Sequence, residues 1–143
     1  MNALRIGLRW VLAIFFVAAG ANHFRTPEIY FGMIPPGLPW PQALNTIAGG
    51  AEILGGIALL GSRTRRLAGW GLIALLVAVF PANVHAALEG RMPGTNFSPQ
   101  TLWLRLPFQA VFIAWVWWVA LDAGAGKPRV AARSGGIDRG AED

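Results

Sequence analysis

Residues 42–61, QALNTIAGGAEILGGIALLG, decide the fold of this chain, because they carry one carboxylate, Glu52, in the middle of a mostly apolar segment. The segment has about the 20 residues that an α-helix needs to cross roughly 30 Å of hydrocarbon. A charged side chain at that depth is costly unless another group pairs with it, so it commonly marks a functional site. We therefore expect Glu52 to belong to a polar site inside a small membrane-embedded bundle.

The composition of the whole chain indicates a membrane protein. Of its 143 residues, 55% are hydrophobic and only 13% are charged, whereas soluble domains carry about 25% charged residues. The chain has no cysteine, which excludes disulfides, thiolate metal sites and thiol redox chemistry. Its net charge of +5 comes from arginines that mostly flank the apolar segments. This placement indicates membrane orientation and gives no reason to expect a nucleic-acid partner.

Four apolar segments predict an all-α integral membrane protein that folds as a four-helix transmembrane bundle. The predicted spans are residues 6–24, 42–61, 67–88 and 102–121. Most basic residues lie before the first span, between the second and third, and after the fourth, which predicts N-in and C-in orientation. We expect one domain over residues 1–122 and a disordered cytoplasmic tail over residues 123–143. As an alternative, the first span could be a signal peptide, since residues 19–21 resemble a small-residue cleavage site.

A proline-rich outer loop, residues 25–41, connects the first two predicted spans. Pro35-Pro36 cannot continue a helix, so this loop is expected to form a structured lid at the membrane interface. Pro81 in the third span lacks the backbone N–H that a helix would use, and we expect it to kink the helix beside Asn83. A kink next to polar residues favours a cavity at this level of the bundle.

Polar residues near the outer face of the membrane occur in each of the other three spans. Long helical side chains lean toward the N-terminus of their own helix, so those of neighbouring antiparallel spans lean toward one another. We therefore expect Glu52 to lie within direct or water-bridged reach of at least one of four donors on the other spans: Arg105, His85, Asn83 and His23. The predicted ligand-binding residues are Glu52, His85, Asn83, His23, Asn22, Arg105 and Gln109.

Several short motifs together resemble the DoxX-like family of small bacterial membrane proteins. They are FVAAGANHF at residues 16–24, PP at 35–36 followed by LP at 38–39, GGAEILG at 49–55 and FPAN at 80–83. The resemblance implies a multi-pass, four-span protein of the bacterial cytoplasmic (inner) membrane. It also implies a link to a quinone-reducing redox system, in which such a chain would be an accessory subunit beside a redox protein partner.

Three functions remain open from the sequence. The first is binding of a small amphipathic or quinone-like ligand, with His85, Asn83 and Glu52 holding its polar end. The second is a non-enzymatic interaction or assembly protein, in which Glu52 forms a structural ion pair. The third is a metal or haem site built from His23, His85 and Glu52. No strong nucleophile and no Rossmann or P-loop motif is present, so the chain is not expected to be an enzyme on its own. Homo-oligomers could also form.

Overall fold

The computed structural model describes residues 3–122, and this part of the chain contains helices and no strand. The helices are α1 (Ala3–Arg25), α2 (Pro27–Phe31), α3 (Pro41–Ala58), α4 (Arg65–Glu89) and α5 (Pro99–Val116), and a π-helical turn, Trp117–Leu121, continues α5. The prediction of an all-helical fold is confirmed for these residues. The tail predicted over residues 123–143 lies outside them.

Proline and serine residues set where several helices begin. Proline stands at the first turn of α2, α3 and α5, where its missing N–H would have no intrahelical partner. At the start of α5, the backbone N–H of Thr101 also donates to Ser98 Oγ over 3.3 Å. At the far end of α4, Gly90 takes a positive φ of 64° and terminates the helix, a conformation that glycine adopts without strain. These signals place the helix ends within a few residues of the predicted ones.

Within residues 3–122, three helical segments, not four, are long and apolar enough to cross a membrane: Ala3–Arg25, Arg65–Glu89 and Pro99–Leu121. The prediction of a fourth span at residues 42–61 is therefore not supported on composition. The helix at this place, α3, has 18 residues and ends at Ala58. It also carries Gln42, Asn45 and Glu52, which lower its hydropathy. The physical reason for the difference is the low hydropathy that these polar side chains give α3, since its 18 residues are long enough.

Close contact between α1 and α3 is made through glycines. A Cβ atom added to Gly20 would lie 2.6 Å from the carbonyl oxygen of Gly49, and one added to Gly56 would lie 2.8 Å from the carbonyl oxygen of Ala13. Real Cβ atoms do not approach so closely, so only glycine allows this separation of the two backbones. Small residues serve the same purpose at helix interfaces in membranes.

The two ends of the bundle differ in how they are filled. We call the end that holds the start of α1, the α3–α4 turn and the π-helical turn the basic end, and the opposite end the loop end. An apolar cluster toward the basic end includes side chains less than 2% exposed, among them Leu12, Leu59, Leu72 and Val116. Arg5 also lies at the basic end, and its guanidinium donates to the backbone oxygens of Trp118 and Asp122. The basic end is therefore closed by packing and hydrogen bonds.

Candidate ligand-binding cavity

A cavity of about 770 Å³ lies toward the loop end, between α1, α3, α4, α5 and the loop that connects α2 to α3. Its walls are mostly apolar and include the phenylalanines Phe15, Phe16, Phe108 and Phe112. The polar side chains that line it are His23, Tyr30, Asn45, Glu52, Asn83, Arg105 and Gln109. An apolar cavity with a few convergent polar groups is typical of small-molecule sites.

One wall is formed by a chain of three polar side chains from α1 and α3. His23 Nδ1 lies 2.8 Å from Asn45 Oδ1, and Asn45 Nδ2 donates to the backbone oxygen of His23 over 3.0 Å. On the other side of the imidazole, His23 Nε2 lies 3.5 Å from Glu52 Oε2. The contact of Glu52 with a polar group of another helix is thus found, with His23 as the partner.

The hydrogen bonds of Asn45 fix the tautomer of His23. Because Asn45 Nδ2 donates to a carbonyl oxygen, the oxygen Oδ1 faces the imidazole and can only accept. His23 Nδ1 must therefore carry a hydrogen. Neutral His23 would then present a bare Nε2 to Glu52 Oε2 3.5 Å away, and this carboxylate oxygen is enclosed and has no hydrogen-bond partner. A bare ring nitrogen and a carboxylate at this distance repel, whereas one further proton on either group makes the contact attractive, so we infer that His23 and Glu52 together hold one such proton.

Tyr30 covers the imidazole from the loop side. The rings of His23 and Tyr30 are stacked with centroids 3.7 Å apart, and Asn22 Nδ2 donates to the Tyr30 hydroxyl over 3.0 Å. Asn22 is not among the residues that line the cavity. Its contact with the site is therefore indirect, through the orientation of Tyr30.

The opposite wall is formed by polar groups of α4 and α5. Asn83 Nδ2 donates to Gln109 Oε1 over 3.0 Å, and Gln109 Nε2 donates to the backbone oxygen of Leu76. Leu76 lies one residue before Val77, whose carbonyl oxygen would bond to residue 81 if that residue were not proline. These bonds join the two helices at the level where Pro81 interrupts the hydrogen bonding of α4.

Arg105 lies on the wall that α5 contributes and is only partly buried. Its Nη1 donates to Met92 Sδ over 2.9 Å. Within residues 3–122, no carboxylate oxygen lies within 4.0 Å of its guanidinium. Arg105 and Glu52 thus line the same cavity without forming the direct ion pair that was one of the predicted arrangements.

His85 is the predicted site residue that the structure does not bring to the cavity. It lines a separate groove together with Glu89 and the proline-rich loop. The three ligands considered for a metal or haem, His23, His85 and Glu52, are consequently divided between two places. Among the described residues, no group of three or more potential metal ligands is found.

Two residues of the cavity were missed in the sequence. Asn45 precedes Glu52 by seven residues, which is two helical turns and places both on one face of α3. This spacing was a usable signal. Tyr30 is the chain's single tyrosine and lies in α2, whose five residues are too few for a periodicity that would predict its direction. The ligand-binding role of all these residues remains a prediction.

Comparison with known proteins corrects the family expected from the sequence. No curated protein and no solved structure matches this chain. The assignment to the DoxX-like family is wrong, because the family model that matches is a different one. Each motif behind that assignment consists of glycine or proline near a polar residue, and close packing of any small helical bundle favours such motifs. The matching model covers residues 12–120, and the chain belongs to the family described as Domain of unknown function (DUF8561).

Proposed function

We propose that this protein is a multi-pass membrane protein that binds a small amphipathic molecule in the cavity at its loop end, a quinone-like ring being one class that would fit. The observation that supports this best is the cavity itself. Its volume of about 770 Å³ falls in the range of roughly 300–1,000 Å³ that is usual for ligand pockets. Its polar groups gather on two facing walls, which would hold the polar end of the ligand.

The apolar part of the ligand has a route to the surface between α1 and α5. Phe15 and Phe108 line the cavity and are 44% and 57% exposed. Phe15 also stacks on Phe112 with ring centroids 4.6 Å apart. Aromatic rings that are both cavity wall and outer surface form an apolar portal, through which a tail would extend toward lipid.

The outer surface of the bundle supports placement in a membrane. Large apolar side chains are exposed along the helices, including Leu4, Ile14, Leu54, Leu67 and Val77. Exposed apolar area on this scale is unfavourable in water. We propose that α3 also crosses the bilayer, because its polar groups Asn45 and Glu52 face α1 and the cavity instead of lipid. The arginines at the basic end favour the cytoplasmic side for that end.

Filling the cavity tests the proposed binding. Ala48 lines the cavity one helical turn before Glu52, so Ala48→Phe would place a ring where the polar end of a ligand is expected. Ala43 is exposed on the same helix, which makes Ala43→Phe the matched control. We expect Ala48→Phe to weaken binding of decylubiquinone to the full chain in lipid nanodiscs by at least about tenfold, after subtraction of empty nanodiscs. Equal binding by both variants and the unchanged protein would contradict the proposal.

A further inference from the structure

The charges that line the cavity do not cancel. Of the described residues that line it, only His23, Glu52 and Arg105 have side chains that carry charge near neutral pH. Because His23 and Glu52 share one proton, as imidazolium with carboxylate or as imidazole with carboxylic acid, their combined charge is zero in either form. The positive charge of Arg105 is therefore left over.

The surroundings of Arg105 leave most of its hydrogen-bonding capacity unused. A guanidinium has five N–H donors. Among the described residues, the hydrogen bond found for the guanidinium of Arg105 is the one to Met92 Sδ, and a thioether sulfur is a weak acceptor. No carboxylate of the described residues lies within 4.0 Å. A partly buried cation in a mostly apolar cavity is unfavourable without an anion beside it.

We propose that the preferred ligand is an amphiphile with a single oxyanion head group, a carboxylate or a phosphate, which binds Arg105 while its tail lies along Phe15, Phe108 and Phe112. The planar fork of a guanidinium matches two oxygens of such a head group. This inference rests on the proposed function and specifies the charge of the ligand. It also assigns Arg105 as the residue that determines specificity.

Dodecanoate and methyl dodecanoate make a matched pair of probes, since they share the tail and differ in charge. Binding of each to the full chain in nanodiscs of zwitterionic lipid would be measured by competition with labelled decylubiquinone, with acetate as a probe of the head group alone. We expect dodecanoate to bind at least about tenfold more tightly than its methyl ester. Acetate should compete weakly, because it lacks the tail.

Variants assign the effect to Arg105. Arg105→Gln should remove the preference for dodecanoate, and Arg105→Lys should retain part of it. The control is Arg91→Gln, since Arg91 lies outside the cavity with its side chain 80% exposed. Glu52→Gln tests the neutrality of the His23–Glu52 pair itself, because it removes the carboxylate. A marked rise in dodecanoate affinity in Glu52→Gln would show an uncompensated negative charge and overturn the inference.

The outcomes separate this inference from the proposed function. Equal affinity for dodecanoate and its methyl ester in the unchanged protein overturns the oxyanion preference, even if Arg105→Gln fails to fold. If neither dodecanoate nor its methyl ester competes in the unchanged protein, and Ala48→Phe binds decylubiquinone as tightly as the unchanged protein does, the cavity is not the ligand site and the proposed function fails. Acetate competing as well as dodecanoate would indicate a free anion and overturn the assignment of an amphiphile.

Discussion

At the scale of single residues, the arrangement of the site follows from helical geometry. Successive residues of an α-helix are about 100° apart around its axis, so Asn83 and His85 are separated by about 200° and cannot face one cavity. Arg105 and Gln109 are one turn apart and do share a face, as the structure shows. The sequence could therefore have separated His85 from the site. It could not identify which donor meets Glu52, because that depends on how closely α1 and α3 approach.

Asn45 is expected to be the most important supporting residue of the site. Replacing it by alanine removes the partners of His23 Nδ1 and of the His23 backbone oxygen, both of which are buried. Leaving buried polar groups unpaired costs about 1–3 kcal/mol. We expect Asn45→Ala to lower the free energy of unfolding by about that amount, measured by denaturant titration in mixed micelles.

The neighbouring residue supplies the control for Asn45→Ala. Thr46 is exposed, and its hydroxyl donates only to the backbone oxygen of Gln42. Thr46→Ala is expected to change the free energy of unfolding by less than about 0.5 kcal/mol. Equal stability of the two variants would show that the Asn45–His23 hydrogen bonds contribute nothing measurable.

At the scale of helices, the interface between α1 and α3 positions the site. Gly20 and Gly49 let the two backbones touch, and His23 lies one turn beyond Gly20. The sequence shows these glycines, but their pairing is a tertiary fact that no periodicity in one helix reveals. This explains why helix positions were predicted closely while the partner of Glu52 was left open among four donors.

Two glycines of α1 give a matched test of this interface. A Cβ at Gly20 would lie 2.6 Å from Gly49 O and 2.7 Å from Ile53 Cγ1, whereas nothing lies within 4 Å of a Cβ at Gly7. Gly20→Ala must push α1 and α3 apart, and overpacking of this kind costs about 1–3 kcal/mol. Gly7→Ala is expected to leave stability unchanged or raise it by up to about 1 kcal/mol. The same unfolding titration measures both, and a Gly20→Ala protein as stable as Gly7→Ala would refute the close packing.

At the scale of the whole molecule, the question is whether α3 crosses the membrane. Its mean hydropathy is too low for a membrane span that is surrounded by lipid on all sides. Inside a bundle, however, neighbouring helices cover part of its surface. Its contacts with α1 include the His23–Glu52 and His23–Asn45 pairs, so part of its polar surface is shielded from lipid. The mean hydropathy of a sequence window counts every polar side chain, including those that face a neighbouring helix. It therefore underestimates the tendency of such a helix to cross a membrane.

Cysteine labelling decides between four crossings and three, because the chain has no cysteine of its own. Gly37 and Asn96 are exposed at the loop end, and Ser62 is exposed at the basic end. Each would be replaced singly by cysteine, and a membrane-impermeant maleimide would be applied to sealed vesicles of known orientation, with solubilised membranes as the control for reactivity. If α3 spans the bilayer, the cysteines at positions 37 and 96 react from one side and the cysteine at position 62 only from the other. If α3 does not span, positions 37 and 62 react from the same side, and the antiparallel packing of α3 on α1, which forms the His23–Glu52 wall of the cavity, would not hold in the membrane.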